Sequence, residues 1–380
     1  MAVKPKLALI PSGYKASKVY SVLPSDGVGD FDFSRSGQAT RVNKQGLIET
    51  VSSNVPRLNY PMIDGVVTGC PSLLLEPQRS NLVSYSEAFD NAYWNKSGGT
   101  SVLANQSISP DGNLNADKIT FSSSNQTIAR YFSLNSDIYT VSVYVKGNVG
   151  ETIRLANLGT EYNFTLTGEW QRIEITIPTA TSAGNIVIST FGGATAREIF
   201  LFGAQLEQGS YATSYIPTSG GIGTRSAEVC NGAGNEQVFN DSEGVLMAEI
   251  SALVETETFR DIRINDGSSN NRVAIRYSTT TNEIEAYVVS NGTETFKGEY
   301  ISQNISNFNK IAIKYKNNDF SLWINGIEVV ANTGKNGGGT PVNLNNINFS
   351  TSLFNFYGNT KQIQYFDKAL TDAELQALTS

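Results

Sequence analysis

Between residues 80 and 217 the chain reads as short runs of alternating apolar and polar residues, separated by clusters of Gly, Asn, Ser and Asp. In "YTVSVYVK", Val141, Val143 and Val145 fall on one face and Thr140, Ser142, Tyr144 and Lys146 on the other. A period of two marks a half-buried antiparallel strand. Similar runs ("DKITF", "TIARYF", "WQRIEITIP", "NIVISTF", "EIFLFGAQLE") recur every ~8–12 residues, the spacing of a β-sandwich or jelly roll. A Gly/Ser/Thr-rich stretch over 218–244 reads as a linker. A second strand series fills 245–380, with Asn325-Gly326 in "SLWINGIEVV" as a hairpin signal, since both central positions of a type I′ turn need positive φ. Only "LTDAELQALTS" predicts a helix: Thr371 is placed as N-cap, Glu374 completes a capping box, and Leu375 and Leu378 share a side.

Residues 1–79 differ. Pro5, Pro11, Pro24, Pro56, Pro61, Pro71 and Pro77 break them into apolar fragments too short to bury a core. They are expected to form an extended arm ordered against a partner or a symmetry mate. The fold class that follows is all-β: two β-sandwich (jelly-roll) domains in tandem, 80–217 and 245–380, preceded by an extended N-terminal arm and closed by one short C-terminal helix.

Charge and composition narrow the function. A net charge of −7 gives no basic footprint for nucleic acid or an anionic membrane surface. The apolar run "LALI" ends at Pro11, short of a secretory core of about 7–15 residues, and no stretch approaches the roughly 20 apolar residues of a membrane span. The chain is therefore expected to be made in the cytoplasm, with no membrane insertion. There is no histidine, which removes the commonest general base and most transition-metal sites. Cys70 and Cys230, 160 positions apart without a CxxC companion, are read as two buried free thiols, with a disulfide left open.

No catalytic residue is assigned. Sugar recognition needs an exposed aromatic face beside planar polar groups. Trp94 in "DNAYWNKSGG", with neighbouring Tyr93, lies in a loop-like stretch and is the first glycan-binding candidate; Tyr357 and Asn359 in "NFYGN" are the second. Trp170 and Trp323 begin or line strands and read as core. No cofactor is required, but structural Ca²⁺ is compatible with two oxygen-rich loops. One is "RINDGSSNN" (Asn265, Asp266, Ser268, Asn270); the other is "SPDGNLNAD" (Asp111, Asn113, Asp117). Neither completes an EF-hand, and each reads more simply as an ordinary turn. Glu283 and Glu285 share a strand face, the minimal arrangement a glycosidase would use, and read more simply as two charges on a solvent-facing strand.

The run "SRSGQATRVNKQGLIE", then "VPRLNYP" and "LLLEPQRSNLVSYSEAF", resembles a segment near the start of many bacteriophage fibre, spike and appendage proteins; the resemblance covers roughly residues 20–94. The closing phrase "GAQLEQGSYATSYIPT" is similar to carbohydrate-binding-module-like jelly rolls. "SLWINGIEV" with "YFDKALTDAELQALT" resembles laminin-G or concanavalin A-like sandwiches. The resemblance implies a non-enzymatic virion protein, a head- or tail-fibre or spike subunit, homotrimeric, held by capsid or tail proteins through residues 1–79. It would adhere to host-surface or environmental polysaccharide. Alternatives are a polysaccharide-degrading tailspike and a decoration protein without glycan binding.

Overall fold

The structure, a computed structural model, describes residues 3–380 apart from 64, 158, 178–180, 254–257, 333–338 and 352–353. Two β-sandwiches and one short C-terminal helix account for nearly all of it. The middle sandwich pairs two five-stranded sheets. One carries Thr127–Asp137 and Thr152–Asn157, the other Leu114–Phe121, Tyr139–Gly147, Gln171–Thr176 and Glu198–Gln208. Val141, Val143 and Val145 are fully buried between the sheets, as their alternation requires.

The second sandwich is not confined to residues 245–380. Its eight-stranded sheet takes Leu7–Leu9, Arg57–Asn59 and Ser72–Leu75 alongside Glu243–Ala252 and Gly358–Phe366. Leu7 pairs with Tyr365 and Leu73 with Thr360. The facing nine-stranded sheet takes Tyr14–Lys15, Lys18–Val19 and Phe31–Ser34. So residues 1–79 do run as short extended pieces, but they are laid into the sandwich of their own chain rather than projecting as an arm. The cause is burial. Leu7, Leu9, Phe31, Phe33, Leu73 and Leu75 cannot cover one another in such short segments, yet each disappears into the core made by Leu246, Ile262, Ile313 and Ile363. The stretch read as a linker likewise contains a strand, Val229–Ala233, seated between Phe31–Ser34 and Asn346–Asn348. In effect the middle sandwich is inserted between two portions of one outer sandwich.

Local signals are seen where expected. Asn325 and Gly326 have φ of 49° and 82° and join Phe320–Ile324 to Ile327–Asn332. The helix Asp372–Thr379 starts with the Thr371/Glu374 capping box and buries Leu375. Both cysteines are free; Cys230 is buried, but Cys70 is exposed, against expectation.

Candidate functional site

The insertion brings three stretches of sequence to one place, and charges hold them there. Arg57 is completely buried. Its Nε donates to Glu228 Oε1 at 2.8 Å, and Nη1 to Glu76 Oε2 at 2.7 Å and to Ser214 Oγ at 2.6 Å; Nη2 also pairs with Glu228. Arg35 adds a 2.7 Å contact to Glu228, and Arg225 one of 3.1 Å to Glu76. The adjoining Glu207 accepts from the backbone N–H of Thr213 at 2.9 Å. Three guanidinium groups thus pair with two carboxylates out of water, beside the buried Glu207, the condition under which buried charge is tolerable. Burial alone would raise Glu76, but Arg225, Arg57 and the Ser214 donors outweigh it and hold its carboxyl well below the usual carboxylate range. Arg35, Arg57 and Glu76 lie in phrases that carry the appendage resemblance ("SRSG", "VPRL", "LLLEP"), and Glu207 and Ser214 in the phrase similar to carbohydrate-binding-module-like jelly rolls ("QLEQG", "ATSY"). Their role in this chain is to lock the inserted sandwich to the outer one.

Beside the lock the hairpin Ala39–Val42/Ile48–Val51 docks on the middle sandwich. Ile48 packs with Ala116, Phe202 and Tyr215, and its N–H donates to Pro110 O at 2.9 Å. The hairpin does not seal the joint. A cleft of about 490 Å³ remains, walled by Trp170, Tyr144 and Arg172 on one side and Leu47, Gln45 and Met62 on the other. It continues into a pocket of about 230 Å³ that shares Val42, Ile48, Tyr144 and Arg172 and reaches Asn359.

The cleft's side chains are fixed from behind. Trp170 Nε1 donates to Ile108 O at 2.9 Å, which leaves the indole half-buried at the cleft wall. Tyr144 stands opposite Arg172 and Phe202 in neighbouring strands. The Arg172 guanidinium lies over its ring at 5.4 Å, with Nη1 donating to Thr213 O at 2.7 Å and Nη2 to Ser142 Oγ at 2.9 Å. Its Nε is buried and finds no acceptor. Two aromatic rings, an oriented guanidinium and nearby amides can take up a polyhydroxylated ring: apolar C–H faces against π-faces, hydroxyls against planar polar groups.

The residues chosen from sequence are distributed otherwise. Trp94 is 2% exposed, packs on Phe89 at 4.9 Å between ring centroids, and donates Nε1–H to Tyr85 O at 3.0 Å. It is a core residue and no platform. Tyr93 lies against it, with its ring covered by the Arg130 guanidinium at 4.0 Å and its hydroxyl accepting from Ser84 N–H at 3.2 Å. Tyr357 is half-buried on the outer sandwich core, and burial pushes its hydroxyl pKa up. Asn359 alone reaches the cleft system, where its Oδ1 accepts from Ser72 Oγ at 3.1 Å.

In the calcium candidates the oxygens already serve protein donors. Asp266 accepts from Ser268 N–H at 2.8 Å and Asn271 Nδ2 at 2.9 Å, and Asn265 from Gly267 N–H at 2.9 Å. Asp111 accepts from Ser109 Oγ at 2.6 Å and from the N–H of Asn113 at 2.8 Å. Asp117 is buried and accepts from Phe89 N–H at 2.8 Å and Asn105 N–H at 3.0 Å. The loops are held by their own hydrogen bonds as turns. Glu283, Glu285 and Glu299 do bring carboxylate oxygens within 4.8 Å of one another. Lys297, however, stands 3.7 Å from Glu285 and 2.5 Å from Glu299, and Arg276 stands 3.5 Å from Glu285. Protein cations already answer that charge.

From sequence Trp170 reads as core, and neither Tyr144 nor Arg172 stands out as a site residue. One signal was available: Tyr144 is an aromatic on the polar face of a clearly alternating strand.

No family model matches the chain, and no curated protein matches it. Among solved structures, it is similar to the CBM40 module of the Ruminococcus gnavus IT-sialidase bound to α2,3-sialyllactose, with 14% identity and a TM-score of 0.33 over 40% of this chain and 94% of that one. A CBM4 structure gives 17% and 0.26 over 33% and 100%. The LG4-5 domains of the mouse laminin α1 chain give 9% and 0.26 over 63% and 88%. At such TM-scores these are likenesses only.

Proposed function

We propose that this chain is a non-enzymatic virion structural protein, a head- or tail-fibre or spike subunit, that binds glycan in the cleft between its N-terminal hairpin and its middle sandwich. The observation that carries the binding half is the wall formed by Trp170, Tyr144 and Arg172, held open at a joint between domains. Ligand sites favour such joints, because two rigid bodies supply opposite walls. The virion half rests on the resemblance of residues 20–94 to phage appendage proteins. It implies assembly with copies of the same chain, as a homotrimer, and with capsid or tail proteins. Since strands of the first 79 residues are committed to the outer sandwich and the hairpin Ala39–Val42/Ile48–Val51 to the middle one, those partners would meet the outer faces and loops rather than a free arm. A rigid, locked pair of sandwiches suits a projecting adhesin, which must hold its site at a fixed angle to the particle.

The test is glycan-array and whole-cell binding by the full chain and by Trp170→Ala. Saturable binding by the parent, weakened tenfold or more in the variant, supports the reading; about 1.4 kcal/mol corresponds to that factor. Binding that Trp170→Ala leaves unchanged removes the cleft as its seat. A folded parent that binds no glycan would favour a decoration protein.

A further inference from the structure

A second cavity, of about 620 Å³, lies away from the aromatic cleft. It opens where Arg79–Asn81 meets the ends of Thr127–Asp137 and Glu198–Gln208. Its character is different. Arg79, Gln78, Ser80, Asn135, Asp137 and Gln208 make it strongly polar, with Leu82 and Leu134 as a small apolar floor.

Arg79 is set apart from the other arginines of the joint. Arg35, Arg57 and Arg225 each face a buried carboxylate. The guanidinium of Arg79 has one hydrogen bond, from Nη1 to the neighbouring Gln78 O at 3.2 Å, and its Nε is buried without an acceptor. Its position is nevertheless defined. The group lies over the ring of Tyr211 at 5.3 Å and against the backbone of Gly209. A Cβ at Gly209 would stand 2.8 Å from Nη2 and 3.0 Å from Nε, and the residue has φ of +135°, so only glycine leaves the guanidinium this place. Among the described residues no ion pair joins it to Asp137, whose Oδ1 accepts from Ile138 N–H at 2.7 Å and whose Oδ2 accepts from Gln208 Nε2. A preformed planar fork without its anion, in a chain of net charge −7, is matched by a carboxylate, which takes two parallel N–H donors. The rest of the lining asks for hydroxyls. Asp137 and the amides of Gln78, Asn135 and Gln208 offer acceptors and donors spaced around a cavity large enough for one or two sugar rings.

We propose that this pocket binds a sugar-acid residue of a polysaccharide, with its carboxylate on Arg79 and its hydroxyls toward Asp137, Asn135 and Gln208. The site is independent of the Trp170 cleft. The polar lining makes it selective: only a sugar acid brings hydroxyls to Asp137, Asn135 and Gln208 as well as an anion to Arg79.

The experiment is calorimetric titration of the full chain with trigalacturonate, with its methyl ester (the same sugars without charge), and with inorganic phosphate. The acid should bind at least ~10-fold more tightly than the ester, the factor expected for losing a charge-assisted hydrogen-bonded pair. Arg79→Ala should remove that preference and Arg79→Lys restore only part of it, while Trp170→Ala leaves it intact. Equal affinity for acid and ester, no binding of the acid, or phosphate binding as well as the acid would each overturn the proposal. Should Arg79→Ala fail to fold, the acid-to-ester ratio of the parent and its reduction in Arg79→Lys still decide, while the exposed-site variant Gln208→Ala should weaken acid and ester alike.

Discussion

Replacing Arg57 by methionine tests the lock that holds the molecule in this arrangement. The side chain is fully buried and joins Glu228 from the linker stretch, Glu76 from the end of the N-terminal segment and Ser214 from the middle sandwich. Methionine keeps much of the volume but leaves two buried carboxylates with one guanidinium each, since Arg35 stays 2.7 Å from Glu228 and Arg225 3.1 Å from Glu76. Breaking a buried pair by removing one partner costs about 3–5 kcal/mol. The surviving contacts place the loss at the low end, ~3 kcal/mol, or about 6–12 °C in the melting midpoint of a domain this size. The control is Lys18→Ala, whose partner Asp32 is 71% exposed at the side chain; such surface pairs contribute about 0–1 kcal/mol. Differential scanning calorimetry should show the outer sandwich melting early in Arg57→Met and almost unmoved in Lys18→Ala. Equal shifts in the two would refute the lock. The pH dependence has a definite sign. Glu76 is depressed in the folded protein. Its contribution is therefore complete above the unfolded carboxylate pKa of about 4.3 and is lost as pH falls further toward the folded value, so the parent should lose more stability below pH ~4 than Arg57→Met does.

Other outcomes follow from burial. Trp94→Ala should cost the middle sandwich about 3–5 kcal/mol, seen as a lowered urea midpoint, because it empties a core position. In the native protein a thiol reagent should label Cys70 and spare Cys230, whose thiol is buried and pushed to high pKa, until denaturant is added. EDTA should leave the melting midpoint unchanged, because Asp111, Asp117 and Asp266 are already engaged by N–H and O–H donors.

What the sequence made legible was local. Period-two alternation placed Val141, Val143 and Val145; a dipeptide placed the Asn325-Gly326 turn; Thr371 and Glu374 placed the helix start. Each is decided within a few residues. The N-terminal share of the outer sandwich was illegible because its strands find partners across the whole chain, as Leu7 does with Tyr365, and no short window records that pairing. The ionic lock failed to show for the same reason. Arg35 and Glu228 are 193 positions apart, and an isolated Arg in a polar phrase reads as surface. Trp94 misled because its surroundings look like a loop, although the turn folds the indole inward and Tyr85 O satisfies its N–H. Trp170 misled in the opposite sense: it begins a strand, yet its ring is left at the seam between two bodies.

The central claim, glycan recognition at that seam, is tested most directly by comparing the full chain with Trp170→Ala on one glycan array, with Trp94→Ala as a control at matched foldedness. The account predicts saturable binding by the parent, lost in Trp170→Ala and retained by whatever fraction of Trp94→Ala remains folded. Binding that survives in Trp170→Ala would contradict it.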